Sequence, residues 1–108
     1  MYKIDVKPLS LNGAYRGRRF ATPELREFKQ GVWYLLPQIK VPKGKLKLKC
    51  IWGVSSKSSD CDNLTKTFLD VLAEKYSFND KVVYKIDLEK RDVPKGSEYI
   101  EFKISAFK

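Results

Sequence analysis

Two stretches of strict alternation constrain this chain more than anything else in it. Val82, Tyr84, Ile86 and Leu88 alternate with Val83, Lys85, Asp87 and Glu89, and Ile100, Phe102, Ile104 and Ala106 alternate with Glu101, Lys103 and Ser105. A period of two sends neighbouring side chains to opposite sides of an extended backbone, so each stretch reads as a strand with one buried face. The link 92–97 holds Pro94 and Gly96 and is of hairpin length. The two strands are therefore expected to be antiparallel neighbours.

A half-buried sheet needs a cover, and the chain supplies two helical patterns. Thr22-Pro23-Glu24 is a helix start: a hydroxyl cap, a proline at the first helical position, and an acid at the positive end of the dipole. Leu25, Phe28, Val32 and Leu35 or Leu36 follow on one face, and Pro37 ends the helix. From about residue 62 to 76 a second helix carries Leu64, Phe68, Val71 and Leu72 on one stripe. Tyr2, Ile4 and Val6 form a short first strand ended by Pro8. After the Lys43-Gly44 turn, Leu46, Leu48 and Cys50 alternate with Lys45, Lys47 and Lys49. Residues 10–20, with Arg16-Gly17-Arg18-Arg19, read as a mobile basic loop. The order is β-α-β-α-β-β. It predicts one α/β (α+β) domain over residues 1–108, a mixed sheet with two helices packed on one face. The second helix joins two strands over a length suited to a right-handed parallel crossover.

Composition narrows the function. Lys and Arg number 22 against 13 acids, a net charge of +9 on 108 residues. Such an excess favours a polyanionic partner, either nucleic acid or an anionic surface. No stretch approaches the roughly 18 apolar residues of a membrane span. No apolar run follows the first charges as in a signal peptide, so a cytoplasmic location is expected. Cys50 and Cys61 make no disulfide scaffold and are expected to be reduced. The chain has no histidine. A Ser-His-Asp triad, a Cys-His pair or a two-histidine ribonuclease mechanism is thereby excluded within it.

The chemistry-bearing segment is Asp60-Cys61-Asp62-Asn63-Leu64-Thr65-Lys66, followed by Asp70 and by Asn79-Asp80. If residues 59–62 are extended, Asp60 and Asp62 project from the same side. Lys66 and Asp70 then follow at four-residue steps along one helix face. Crowded carboxylates repel unless a cation joins them, and Mg²⁺ suits a few carboxylates plus phosphate oxygens. Such a site activates water for attack on a phosphodiester, and Lys66 would stabilise the charge that develops. The plainer alternative is structural. Asp62 caps a helix, Asp62, Lys66 and Asp70 form a solvated ion-pair ladder, and Asp80 starts a turn.

The stretch Asp60-x-Asp62-Asn63-Leu64-x-Lys66, with Leu69-Asp70 and then Asn79-Asp80 ahead of a strand, resembles the RusA family of Holliday junction resolvases. Pro8-Leu9-Ser10-x-Asn12 and Arg16-Gly17-Arg18-Arg19-Phe20-x-Thr22 look like the opening of phage-borne members. The resemblance implies a small homodimeric α/β nuclease that cuts four-way DNA junctions with Mg²⁺ or Mn²⁺ and needs no small-molecule cofactor. It carries metal binding onto Asp60, Asp62 and Asp80 and a catalytic role onto Lys66. Asn63 and Asp70 support the site. Two departures stand out: Ser59 replaces a common proline, and Asn79-Asp80 replaces a common pair of aspartates.

A helix over 62–76 spans about 20 Å, while residues 77–80 run back at most about 13 Å. Either the helix ends early or Asp80 approaches from a partner subunit. DNA contacts are expected from Arg16, Arg18 and Arg19, from Lys57 beside the acidic motif, and from the lysine face of 45–49. Trp33, Tyr34 and Trp52 are candidates for a dimer interface or for core packing. Three rival readings remain: a non-catalytic basic nucleic-acid-binding protein of the same fold, a nuclease for forks or flaps, and an RNA-associated module.

Overall fold

The computed structural model describes residues 1–9, 15–16, 20–56 and 61–108, excepting the side chains of 15, 16, 20, 21 and 61–63. Along the chain lie β1 (Tyr2–Ile4), β2 (Tyr15–Arg16), β3 (Phe20–Ala21), α1 (Pro23–Leu35), β4 (Leu46–Val54), α2 (Cys61–Lys75), a 3₁₀ turn (Asp80–Val82), β5 (Val83–Asp92) and β6 (Tyr99–Ala106). The main sheet is mixed, in the order β1-β6-β4-β5. β4 pairs parallel with β5 through the α2 crossover and antiparallel with β6.

Both helices form where their ends and stripes predict. The Thr22 hydroxyl accepts from the Leu25 N–H at 3.3 Å, which satisfies a donor the first turn leaves free. The helix ends where Leu36 turns extended ahead of Pro37. The core joins Phe28 and Val32 of α1 to Leu64, Phe68, Val71 and Leu72 of α2. From β4 and β6 it takes only Leu48, Cys50, Trp52, Val54, Ile100 and Phe102. Those strand positions are all of one parity, so both helices cover the same face of the sheet. Phe68 sits at its centre, edge-on to Trp52 and to Phe102, with ring centroids 5.5 Å apart in each case. The Trp52 indole N–H finds no acceptor among the described residues. That costs about 1–3 kcal/mol, which the burial of a large ring has to offset.

The opposite face is mostly charged and of mixed sign, with Ile51 the buried apolar residue on its β4 side. Lys47 pairs with Asp87 at 3.4 Å, and Lys45 lies over the Tyr84 ring at 4.9 Å. The lysines of 45–49 thus behave as a solvated sheet face. Gly53 lies on this side, where a Cβ would come within 2.4 Å of the Tyr99 ring. Only glycine lets that ring cross β4 here.

The hairpin expectation for the last two strands fails. β5 and β6 run antiparallel in direction, but β4 lies between them. The six-residue link is long enough to step over one strand, since two strand spacings are about 10 Å. The order follows burial. Ile100 and Phe102 are fully enclosed, whereas Tyr84 and Ile86 stay exposed, so the more apolar strand takes the central place. β5 keeps Val83 and Leu88 against the core because the pairing slips by one residue between Leu46 and Lys47. That slip inserts Tyr84 and switches which parity faces inward.

Two further differences are local. β1 stops at Ile4, where the Val6 N–H bonds the Ile4 carbonyl at 3.1 Å instead of continuing the ladder. The segment read as an aperiodic loop contains a two-residue ladder, Tyr15 against Ala21 and Arg16 against Phe20. Among the described residues no helix is long and apolar enough to cross a membrane. Cys50 is free and buried, and burial pushes its thiol far above the ordinary range, so it stays protonated and inert.

Candidate active site

α2 separates two kinds of work by angle. Its Leu64, Phe68, Val71 and Leu72 are buried, while Lys66 and Asp70 lie one turn apart on the solvent side. Lys66 Nζ is 3.2 Å from an Asp70 carboxylate oxygen and 3.7 Å from one of Asp80. One ammonium therefore sits between two carboxylates from different elements of the same chain. The hydrogen bond and charge of Asp70, with a smaller contribution from Asp80, hold the Lys66 pKa above its ordinary value. Raised in this way, Lys66 is a cation at neutral pH and cannot serve as a general base there.

Asp80 reaches this place because the chain reverses sharply after α2. Ser77 adopts a left-handed φ of 56°, and the Phe78 N–H bonds back to the Ala73 carbonyl at 3.1 Å. That is the Schellman reversal, usually built with glycine. The Asn79 side-chain oxygen then accepts from the Lys81 N–H at 2.9 Å and caps the 3₁₀ turn. Asn79 is thus employed as a cap. Within one chain the return segment brings Asp80 to Lys66; the distance from Asp80 to the Asp62 carboxylate lies outside the described residues. The helix runs its full length, and the long Lys66 side chain closes the remaining gap to Asp80.

Of the residues expected at the site, Lys66, Asp70 and Asp80 are brought together. Asp62 and Asn63 belong to the first turn of α2, but their side chains lie outside the described residues. Asp60, Lys57, Arg18 and Arg19 lie outside them altogether. Arg16 is described only as backbone in β2. Among the described residues no group of three potential metal ligands occurs.

Two supporting contacts were not foreseen. The Thr67 hydroxyl, next in sequence to Lys66, donates to the Leu9 carbonyl at 2.7 Å and ties the N-terminal segment to α2. A signal existed: 64, 67 and 71 share the apolar stripe, so a threonine there needs a buried acceptor. At the far end of β4, the Ser55 hydroxyl donates to Glu98 at 2.8 Å and the Gly96 N–H donates to its other oxygen at 2.7 Å. The Ser55 hydroxyl, joined by backbone N–H groups, holds the Glu98 carboxyl below the usual range. This clamp joins the end of β4 to the link between β5 and β6. Nothing in the local sequence announces it.

The profile described as Endodeoxyribonuclease RusA matches residues 6–104. No curated protein matches the chain.

Proposed function

Because this chain belongs to the RusA family of endodeoxyribonucleases, we propose that it is a Mg²⁺-dependent nuclease that resolves four-way DNA junctions by nicking two opposed strands. The observation that supports this reading best is the Lys66 ammonium between Asp70 and Asp80, on the helix whose first turn carries Asp62. Carboxylates from two elements already converge there on a single cation. Asp80 is half exposed, and a donor set made only of anionic oxygens suits a hard ion such as Mg²⁺ or Mn²⁺.

Asp60, Asp62 and Asp80 would hold the ion. When bound, it supplies activation of water and neutralisation of the leaving oxygen. Lys66 meets the scissile phosphate and offsets the charge that grows on it as water adds to phosphorus. The P–O3′ bond then breaks, leaving a 5′-phosphate and a 3′-hydroxyl. Asp70 positions Lys66 by holding its ammonium, and Asn63 supports the first turn. Arg16, Arg18, Arg19 and Lys57 take phosphates flanking the cut. A junction has near two-fold symmetry, so a C2 homodimer gives each opposed strand its own site. Such an enzyme works in the cytoplasm of a bacterial or phage-infected cell.

The test is a labelled synthetic junction incubated with and without Mg²⁺. Wild type should cut it, preferring it to a fork or a linear duplex. Asp62→Asn should abolish cutting while binding stays intact or tightens, because a charge repelling phosphate is removed. Lys66→Ala should lose rate far more than affinity. Undiminished cutting by Asp62→Asn would take that carboxylate out of the site, and absence of cutting by wild type with Mg²⁺ would leave only a basic DNA-binding protein of this fold.

A further inference from the structure

We propose that the exposed flank of α1 around Trp33 and Tyr34, together with Lys75 of α2, is a docking surface for a duplex DNA arm leaving the cleavage site. This rests on the junction-nuclease reading above. The two tryptophans have opposite fates: Trp52 is fully buried, whereas Trp33 is 39% and Tyr34 86% exposed. α1 needs only Leu25, Phe28 and Val32 to dock on the core. Its large exposed aromatics are not explained by packing, and such residues mark contact surfaces.

The charge on this helix is segregated. Arg26, Lys29 and Trp33 recur at three- and four-residue steps and share one flank. Glu24 and Glu27 fall on the other, where they line a cavity with residues of the N-terminal segment, and Tyr34, seven residues after Glu27, stands at the border between the two. Lys29, Gln30, Trp33 and Tyr34 line a shallow cavity of about 280 Å³ that has no acidic wall. Lys75 Nζ lies 4.8 Å above the centre of the Trp33 ring, which adds a second cation to the patch. Glu74, its neighbour in sequence, points about 100° away around α2.

A basic, aromatic surface fits a polyanion better than it fits itself. An isologous contact between two copies would set Lys29 and Lys75 against their own counterparts, and like charges across an interface are costly. Lys75 lies nine residues beyond Lys66 on one helix, about 14 Å along its axis at 1.5 Å per residue. Nine residues are also about 180° of rotation, so a duplex arm reaching the patch comes around α2 from the Lys66 side instead of straight along it. Lys29 and Lys75 would take its phosphates, and Trp33 and Tyr34 its sugars and base edges.

The experiment uses the intact protein with a labelled four-way junction in EDTA, so that binding is read without cutting. Trp33→Ala should weaken binding about tenfold, and Lys75→Gln should lower the slope of log K against log salt by about one. In wild type, bound junction should shield Trp33 from acrylamide quenching, a readout that needs no variant to fold. Wild-type affinity in Trp33→Ala, or quenching unchanged by junction, overturns the proposal. So does a shift from dimer to monomer in that variant on sedimentation without DNA, since a second copy would then own the patch. A protein that cuts junctions with Trp33 unshielded sinks the platform alone. One that shields Trp33 yet never cuts sinks the nuclease reading alone.

Discussion

The two sides of α2 differ in what they cost to change. On the inner side, Phe68 is fully buried and makes edge-on contacts with Trp52 and Phe102. On the outer side, the Lys66 side chain is 53% exposed and lies between two carboxylates that are themselves partly in water. Burial of the inner ring contributes about 1.5–3 kcal/mol, whereas exposed ion pairs contribute about 0–1 kcal/mol. The outer face is therefore nearly free of structural duty, which leaves its charges available for the proposed chemistry. The helix holds its shape from one side and presents the Lys66–Asp70 ion pair from the other.

Four measurements would break or sharpen this contrast. Phe68→Ala should lower the unfolding free energy by about 3–5 kcal/mol, read from urea unfolding. A loss under 1 kcal/mol would mean the inner face is not what holds the helix. Gly53→Ala should cost about 1–3 kcal/mol, because the new methyl meets the Tyr99 ring on the far side of the sheet. Thermal melts check this, and an unchanged midpoint would show that the ring moves aside freely.

The third concerns the seam between the helices. The Tyr76 hydroxyl donates to the Pro37 carbonyl at 2.6 Å, so Tyr76→Phe should cost about 1 kcal/mol at neutral pH. Burial pushes this phenol up from 10.0 to about 12. The folded state holds the proton more tightly than the unfolded state. The stabilisation is therefore complete below pH 10 and is lost as pH rises through 12. The gap between wild type and Tyr76→Phe should close over that window, and a pH-independent gap would contradict the assigned hydrogen bond. The smallest structural effect is expected at Lys66. Lys66→Ala should shift stability by less than about 1 kcal/mol while removing most junction cleavage. If stability falls by several kcal/mol instead, the outer face is structural after all.

The elements were legible because their signals are local. Thr22-Pro23-Glu24 begins α1 and Pro37 follows its end, as the caps required. The stripe from Leu64 to Leu72 drew α2 to within a residue at each end. The motif from Asp60 to Lys66 was enough to place the chain in its family, and residues 6–104 match that family's profile. Three expectations could not be fixed in this way. The last two strands were expected to pair, yet β4 separates them. Trp33 and Trp52 look alike in sequence, yet only one is buried. Asp80 was at odds with the length of α2, yet it meets Lys66 in the same chain.

The physical reason is one of range. A period of two or of 3.6 states which side chains share a face, and a cap states where a helix begins; both are properties of a few adjacent residues. By itself, then, the sequence determined the strands of the main sheet, the two helices and the carboxylate–lysine motif. Which edge a strand joins depends on competition among all the apolar faces for the centre of the sheet. The meeting of Lys66 with Asp80 depends on a left-handed residue at 77 and on the reach of one flexible side chain. Those outcomes belong to the folded whole, and only the tertiary structure decided them.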